Sequence, residues 1–454
     1  MQELDVAICG AGPTGMAAAI KLFRIGVTNI KIFERNSELG GILNQCIHLG
    51  FGVSYYNEEL TGPEYAFRMS SEIKKLNIPY QLNSMIIDID KNKVLTVTSY
   101  EKGLEKYKAK AIIFATGCRE RTRENIEVAG TRPAGIFTAG LAQNLINLKK
   151  LTIGKNIIIQ GSGDIGLIMA RRLKIEGYNV LKVFERLPYL SGLIRNKAQC
   201  LDDFEIPIEF NTEIVDIDGI DRVKGVSIQK LDDNLNPVFN SKEYYECDTV
   251  LFAVGLIPEI DLLRNAGAEF KNRFNLWVNS KFETNIEGIF VAGNSLHIHD
   301  LADNASLEGE TVATFVKEFL ESNQSFRMTS SGNTPYKEIE VNKDFDNKYF
   351  KNLNNNLVCI ICPKGCQLSF NNYGCKKGQG FFIKESQGKK RKFTTTIFNE
   401  NDKKIDSVCS EDEVDINSFP LIKKELDKIS EIKEVSFSIN INNQKISFRT
   451  KRRI

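Results

Sequence analysis

Gly10-Ala11-Gly12-Pro13-Thr14-Gly15 follows the apolar run Leu4 to Cys9 and precedes Met16 to Phe23. The order predicts strand, turn and helix. Gly10 permits a tight turn, Gly12 lets backbone approach a pyrophosphate, and Gly15 allows the helix to pack closely on the strand. The helix N-terminus, entered at Pro13, then faces the phosphates. A second strand, Asn29 to Phe33, ends at Glu34, nineteen positions after Gly15, where an acceptor for a ribose hydroxyl is expected. The stretch is therefore read as a dinucleotide-binding unit.

The pattern recurs. Lys155 to Gln160 reads as a strand, Gly161-Ser162-Gly163-Asp164-Ile165-Gly166 as a glycine turn, and Val180 to Phe184 as a strand ending at Glu185, again nineteen residues after the third Gly. Each copy also has a later apolar strand that closes on Gly: Ala111 to Phe114 with Ala115-Thr116-Gly117, and Thr249 to Gly255. Two copies at one spacing imply two nucleotide-binding domains. The Glu185 carboxylate would accept from a ribose 2′-hydroxyl and repel a 2′-phosphate, which favours NAD(H) as the second ligand; the neighbouring Arg186 leaves NADP open.

Length and charge narrow the rest. A chain of 454 residues holds two or three domains. Its formal net charge of +2 gives no global attraction to nucleic acid, and neither Lys389 to Lys392 nor Lys451 to Arg453 reads as more than a solvated run. No secretion signal and no apolar run of transmembrane length is read, so the expected location is cytoplasmic. Ser322 to Pro335 reads as the start of a linker. Beyond it Cys359, Cys362 and Cys366 are closely spaced, with Cys375 after them. Three close cysteines plus a fourth suit a [4Fe-4S] cluster, with zinc as the alternative.

Several motifs carry a resemblance. The strand ending in Glu34-Arg35, the pair Gly40-Gly41, the Ala115-Thr116-Gly117 strand end and Gly293-Asn294 before a helix from about Asp303 to Leu320 resemble the FAD domain of the flavoprotein disulfide reductase superfamily. That implies that FAD is held by Gly10, Gly12, Pro13, Gly15, Glu34, Arg35, Gly41, Ala115, Thr116, Gly117, Gly293 and Asn294. By the same reading Gly161, Gly163, Asp164, Gly166, Glu185 and Gly255 hold NAD. Dithiol members have two cysteines after the Gly pair, whereas this chain has Cys46 alone, at a shorter spacing. The three histidines, His48, His297 and His299, all fall in flavin-side segments, so Cys46 and these histidines are the candidate catalytic groups.

Taken together, GGILNQCIHLGFG, GTRPAGIFTAGLAQ, GSGDIGLIMARRL and GNSLHIHDLADNASLEGE are similar to an FAD- and NAD-dependent oxidoreductase associated with bacterial anaerobic glycerol-3-phosphate dehydrogenase, and CIICPKGCQL to a small Cys-rich domain found beside it. The expected fold is α/β: a discontinuous FAD domain (1–118 and 280–325) interrupted by an NAD(P) domain (119–279), both Rossmann-like, then a linker (326–356) and a Cys-rich domain (357–454). The implied function is electron transfer between NAD(P)H and a partner through FAD and the cysteine centre, the partner being a glycerol-3-phosphate dehydrogenase subunit. Two alternatives stand: a peroxide, oxygen or disulfide reductase using Cys46, and a non-catalytic flavin subunit whose zinc-bound tail docks a partner.

Overall fold

The computed structural model describes residues 1–322, 357–361, 364–368, 375–385, 388–399, 404–430, 432, 435–442 and 444–450. The expected linker at 326–356 and Cys362 lie outside the described residues. The chain divides into two compact units. One holds Met1–Arg119 and the described residues from Leu256 to 322; the other holds Glu120–Gly255 and the described residues between 357 and 450.

The first unit is built on a seven-stranded sheet. Gln2–Cys9 is its central strand, flanked in parallel by Ile30–Phe33 and Gly103–Phe114. Val6, Ala7, Ile8 and Cys9 are all fully buried, as a parallel strand covered on both faces requires. Tyr80–Gln81 extends the parallel set on one side and Ile289–Val291 pairs with the end of Gly103–Phe114. A hairpin, Ser84–Ile89 and Val94–Ser99, is joined antiparallel to the first half of Gly103–Phe114.

Helices Pro13–Arg24 and Ala302–Ser322 cover one face, and small residues let them approach: a Cβ on Gly309 would lie 2.3 Å from the Thr14 carbonyl oxygen. The other face buries Leu4, Ala7, Phe33, Ile112 and Phe114 against Ile260, Leu263, Leu276 and Val278. That packing is why the chain returns to this unit at Leu256, earlier than the boundary at 280 read from sequence. The later motif at Gly293 was visible, whereas the scattered apolar residues before it carry no period.

The second unit repeats the design with a five-stranded parallel sheet in the order Ile136–Thr138, Thr249–Phe252, Asn156–Gln160, Asn179–Phe184, Ile208–Glu209. A meander of Ala129–Gly130, Thr212–Gly219, Val223–Lys230 and Glu243–Glu246 lies beside it in sequence as a separate sheet. Residues beyond 388 form a four-stranded antiparallel sheet, in the order Thr394–Asn399, Lys404–Ser410, Gln444–Thr450, Ser436–Ile441, with helix Phe419–Leu426. Its core of Phe393, Ile397, Val408, Phe419, Ile422 and Phe448 includes Ile175 from helix Asp164–Ile175.

The C-terminal part is thus attached to the nucleotide domain of its own unit. Arg172, 5% exposed, pairs with Glu176, which also takes Lys423 at 3.2 Å. Arg172 Nε donates to Asn147 Oδ1 at 2.8 Å and Nη1 to Thr395 Oγ1 at 3.2 Å. A second bridge joins Arg391 to Asp203 and Glu385, each at 2.8 Å.

Candidate nucleotide-binding sites

The two glycine turns carry the same bonds. Gly10 N donates to Phe33 O at 2.8 Å, and Gly161 N to Phe184 O at 2.7 Å. Ala11 N donates to Glu34 Oε2 and Ser162 N to Glu185 Oε2, both at 2.8 Å. The other carboxylate oxygen takes the amide two residues on, Asn36 N at 2.8 Å or Leu187 N at 2.9 Å. Each acid therefore first sets its own turn; Glu34 keeps lone pairs for a ribose, whereas Glu185 Oε2 also takes the Ser162 and Ser191 hydroxyls, at 2.5 and 2.9 Å, so a ribose there would have to displace one of them.

The glycines are required by contact. A Cβ on Gly10 would lie 2.5 Å from Ala115 O, and one on Gly161 2.3 Å from Ala253 O. Gly12 differs: a Cβ there meets nothing within 4 Å, and the same holds at Gly117. Helices Pro13–Arg24 and Asp164–Ile175 have Gly12 and Gly163 as N-caps and no side-chain cap, so their first N–H groups are left to an anion. In the first unit, open space over uncapped N–H groups is the cradle a pyrophosphate fills; the second turn is closer-packed, a Cβ on Gly163 lying 3.6 Å from Ala253 O, but has the same uncapped helix start, and the residues present fit FAD in the first unit and a nicotinamide dinucleotide in the second.

The model of the pyridine nucleotide-disulphide oxidoreductase family matches residues 4–309, two-thirds of the chain. The chain belongs to this family. Among its relatives is an NAD(P)H coenzyme A polysulfide/persulfide reductase of Pyrococcus horikoshii, 25% identical over 296 residues, or 64% of this chain. The match spans 62% of that relative's length. Thioredoxin reductase of Bacillus subtilis is 26% identical over 328 residues, covering 70% of this chain and 96% of the relative. The crystal structure of T. acidophilum thioredoxin reductase superposes with a TM-score of 0.57 at 20% identity, over 72% of this chain and all of that one, and confirms the α/β fold with its two Rossmann-like domains.

Within this family frame, the returning segment completes the first cradle. Ser295, fully buried, accepts from Gly117 N at 2.7 Å and lies 3.2 Å from Thr116 Oγ1. Gly293, at φ +67°, sits so close to Thr14 that a Cβ would come 2.3 Å from its hydroxyl. Asn294 Nδ2 reaches Cys118 Sγ at 3.7 Å, and its Oδ1 accepts from His299 N at 3.0 Å. Asp303, at the start of helix Ala302–Ser322, takes the amides of Gly52, Ser54 and Tyr55. Thr14, Ser295, Asp303 and Glu308 are not singled out by the sequence reading; of these, Asp303, an acid in a first helical turn, carries a signal legible in advance.

The candidate catalytic groups fall into two places. Cys46 is buried, its carbonyl accepting from Gly62 N at 2.9 Å, and burial pushes its thiol up to about 12. His48 Nδ1 lies 2.9 Å from Leu49 O, which fixes the proton on Nδ1 and leaves Nε2 as the basic nitrogen. His297 and His299 instead converge on one oxygen, Glu308 Oε2, at 3.2 and 3.3 Å. Burial holds His297 below the usual imidazole range, with Glu308 opposing and His299 adding to that shift.

In the second unit Asp164 Oδ1 accepts from Leu193 N at 2.7 Å and Asn196 Nδ2 at 2.8 Å, so it ties the loop after Glu185 to the helix start. Arg186 is held by Glu213 at 2.8 Å. Of the tail cysteines, Cys359 and Cys366 are brought together by the hairpin Leu357–Val358 and Gln367–Leu368, with Cys359 N donating to Cys366 O at 2.8 Å. Cys375 is exposed at the start of helix Lys376–Glu385, and the amides of Gly378 and Lys377 hold its thiol below the usual range. Among the described residues no helix is long and apolar enough to cross a membrane.

Proposed function

We propose that this protein is an FAD-dependent NAD(P)H oxidoreductase that exchanges electrons with a protein partner. The observation that supports it is the duplicated cradle: two uncapped helix N-termini, each with an acid bonded to its own glycine turn. When bound, FAD supplies hydride exchange with a nicotinamide and onward release of electrons in pairs or singly. Gly12 and Gly117 leave room for it, Gly41 packs against the Gly12 backbone beside them, Glu34 and Arg35 face its ribose end, and Asn294 and Ser295 order the returning loop. Gly163, Glu185 and Gly255 hold the nicotinamide dinucleotide. NAD(H) is favoured over NADP because Arg186 is engaged by Glu213, so its charge is partly answered before any 2′-phosphate arrives.

The cysteines of the tail would carry electrons onward. Cys359, Cys362, Cys366 and Cys375 are assigned to a [4Fe-4S] centre, with zinc as the alternative; the lowered thiol of Cys375 suits either, since the thiolate is the ligand. By its resemblance the partner is a glycerol-3-phosphate dehydrogenase subunit, in the cytoplasm. A second reading is favoured by the polysulfide and thioredoxin reductases among the relatives: reduction of a sulfur substrate at Cys46, with His48 as proton carrier. The buried, raised thiol of Cys46 weighs against it.

Anaerobic titration of the purified protein with NADH tests both. Bleaching of the flavin band together with a broad visible absorption from the tail is the expected result. Flavin bleaching alone, with turnover of polysulfide that is lost in Cys46→Ser, would replace the first reading by the second. No bleaching by NADH or NADPH would sink both.

A further inference from the structure

His297, His299 and Glu308 present three ligand atoms that all lie within 4.8 Å of one another, the one such group of His, Cys or acidic residues among the described residues. Two neutral imidazoles and one carboxylate form a donor set that zinc and iron(II) favour. The separations match a metal site. Metal–ligand bonds of about 2.0–2.1 Å in a tetrahedral site place neighbouring ligand atoms about 3.3 Å apart. Glu308 Oε2 lies 3.2 Å from His297 Nε2 and 3.3 Å from His299 Nε2.

Ordinary hydrogen bonding does not account for the group equally well. Nε2 of His299 is buried and has no hydrogen-bond partner although the carboxylate is adjacent. In a tetrahedral site each donor aims at the centre, about 35° off the line to its neighbour. A donor so turned makes only a bent, weakened contact to its neighbour, in keeping with His299 Nε2 beside Glu308 Oε2.

The surroundings hold the three ligands in place. Glu308 Oε1 accepts from Gly293 N at 2.6 Å, which turns Oε2 toward the imidazoles. His299 N is bonded to Asn294 Oδ1, and His297 N donates to Gly293 O at 3.2 Å. His299 and Glu308 side chains are 11% and 9% exposed, whereas His297 is 26% exposed and leaves a path for an ion to arrive.

We infer that His297 Nε2, His299 Nε2 and Glu308 Oε2 bind one divalent transition-metal ion of the zinc or iron(II) class, with a fourth position open. The ion pins the loop from Gly293 to His299, and so Asn294, to helix Ala302–Ser322. None of these residues belongs to the tail cysteines, and the site stands whether or not the proposed electron route is correct.

Cobalt(II) binding by full-length, FAD-loaded protein tests it. Four forms are compared: wild type, His297→Gln, His299→Ala, and a form with Cys359, Cys362, Cys366 and Cys375 changed to Ser. The cysteine-free form is expected to keep one tightly bound equivalent, with d–d bands to the red of the flavin and no thiolate charge-transfer band. His299→Ala should weaken that equivalent by about a hundredfold or more, the upper end of what even a supporting residue contributes. If His299→Ala does not retain flavin and so reports a folding defect, His297→Gln, at the more exposed position, decides by the same loss. Absence of cobalt from the cysteine-free form, or equal affinity in the folded histidine variants and wild type, overturns the site.

Discussion

Alanine at Gly12 and at Gly15 should separate a ligand contact from a packing contact within one turn. At Gly15 a Cβ would lie 2.0 Å from the Gly10 carbonyl oxygen, backbone against backbone, so helix and strand must part by about 1 Å or more. Overpacking of that kind costs about 3 kcal/mol, offset by about 1 kcal/mol of helix propensity gained over Gly. The net loss of about 2 kcal/mol lowers the midpoint of thermal unfolding by about 4–8 °C for a unit of this size. At Gly12 the φ of −71° suits any residue and nothing lies within 4 Å, so the flavin-free protein should melt within about 1 °C of wild type. Its new methyl group stands where the pyrophosphate is expected. Displacing two charge-assisted hydrogen bonds of about 1.5 kcal/mol each weakens FAD by roughly 150-fold. Thermal melts of flavin-free protein and flavin titration of both variants are the assay. Wild-type flavin affinity in Gly12→Ala would refute the placement of the phosphates, and an unchanged melt in Gly15→Ala would refute the packing.

Three further outcomes are expected. Arg172→Met removes the cation from a buried cluster in which Glu176 keeps Lys423 and Thr395, so denaturant unfolding should show a loss of about 3 kcal/mol; a loss below about 1 kcal/mol would mean the bridge does not hold the tail. Burial raises the Glu176 carboxyl, but Arg172 and Lys423 outweigh it and leave it below its ordinary 4.5. Its contribution is therefore full above that value and lost as pH falls through the lowered one. The stability gap between wild type and Glu176→Gln should close on acidification and not on going alkaline, which melts across pH 3 to 8 would check. Cys46→Ser should leave NADH-driven bleaching of the flavin at wild-type rate, because a buried thiol held protonated takes no part in that step; a tenfold slower bleaching would bring Cys46 into it.

What could be read in advance was what backbone geometry forces on residue type. The tight turns at Gly10 and Gly161 admit no Cβ, and the acids at Glu34 and Glu185 sit where the second strand ends beside the turn; both constraints act within about two dozen residues and repeat at one spacing. Ser295 and Gly117, 178 positions apart, share a hydrogen bond that no local pattern announces. The same is true of Arg172 and Thr395, so the tail was legible as a separate Cys-rich domain and not as a part of the second unit. Glu308 was missed for another reason. It lies on a helix face among other acids, and only the fold turns it toward two histidines.

The two turns also explain why one domain is interrupted and the other is not. Their sequences differ at the second, fourth and fifth positions, Ala11 against Ser162 and Pro13-Thr14 against Asp164-Ile165. Asp164 uses its carboxylate to bind Leu193 and Asn196, so the second turn finds its support within the next thirty-two residues of its own chain. Pro13 offers no such group. The first turn is supported instead through Thr14, whose hydroxyl abuts Gly293 and whose carbonyl abuts Gly309, residues that arrive only after the whole second nucleotide domain has been threaded. A side chain larger than hydrogen at either glycine would push the returning helix off the turn. The discontinuity of the first domain is thus written into which partner its glycine turn requires, and a variant that supplies Asp at position 13 would not relieve that requirement, because the contacts at Gly293 and Gly309 are made by Thr14.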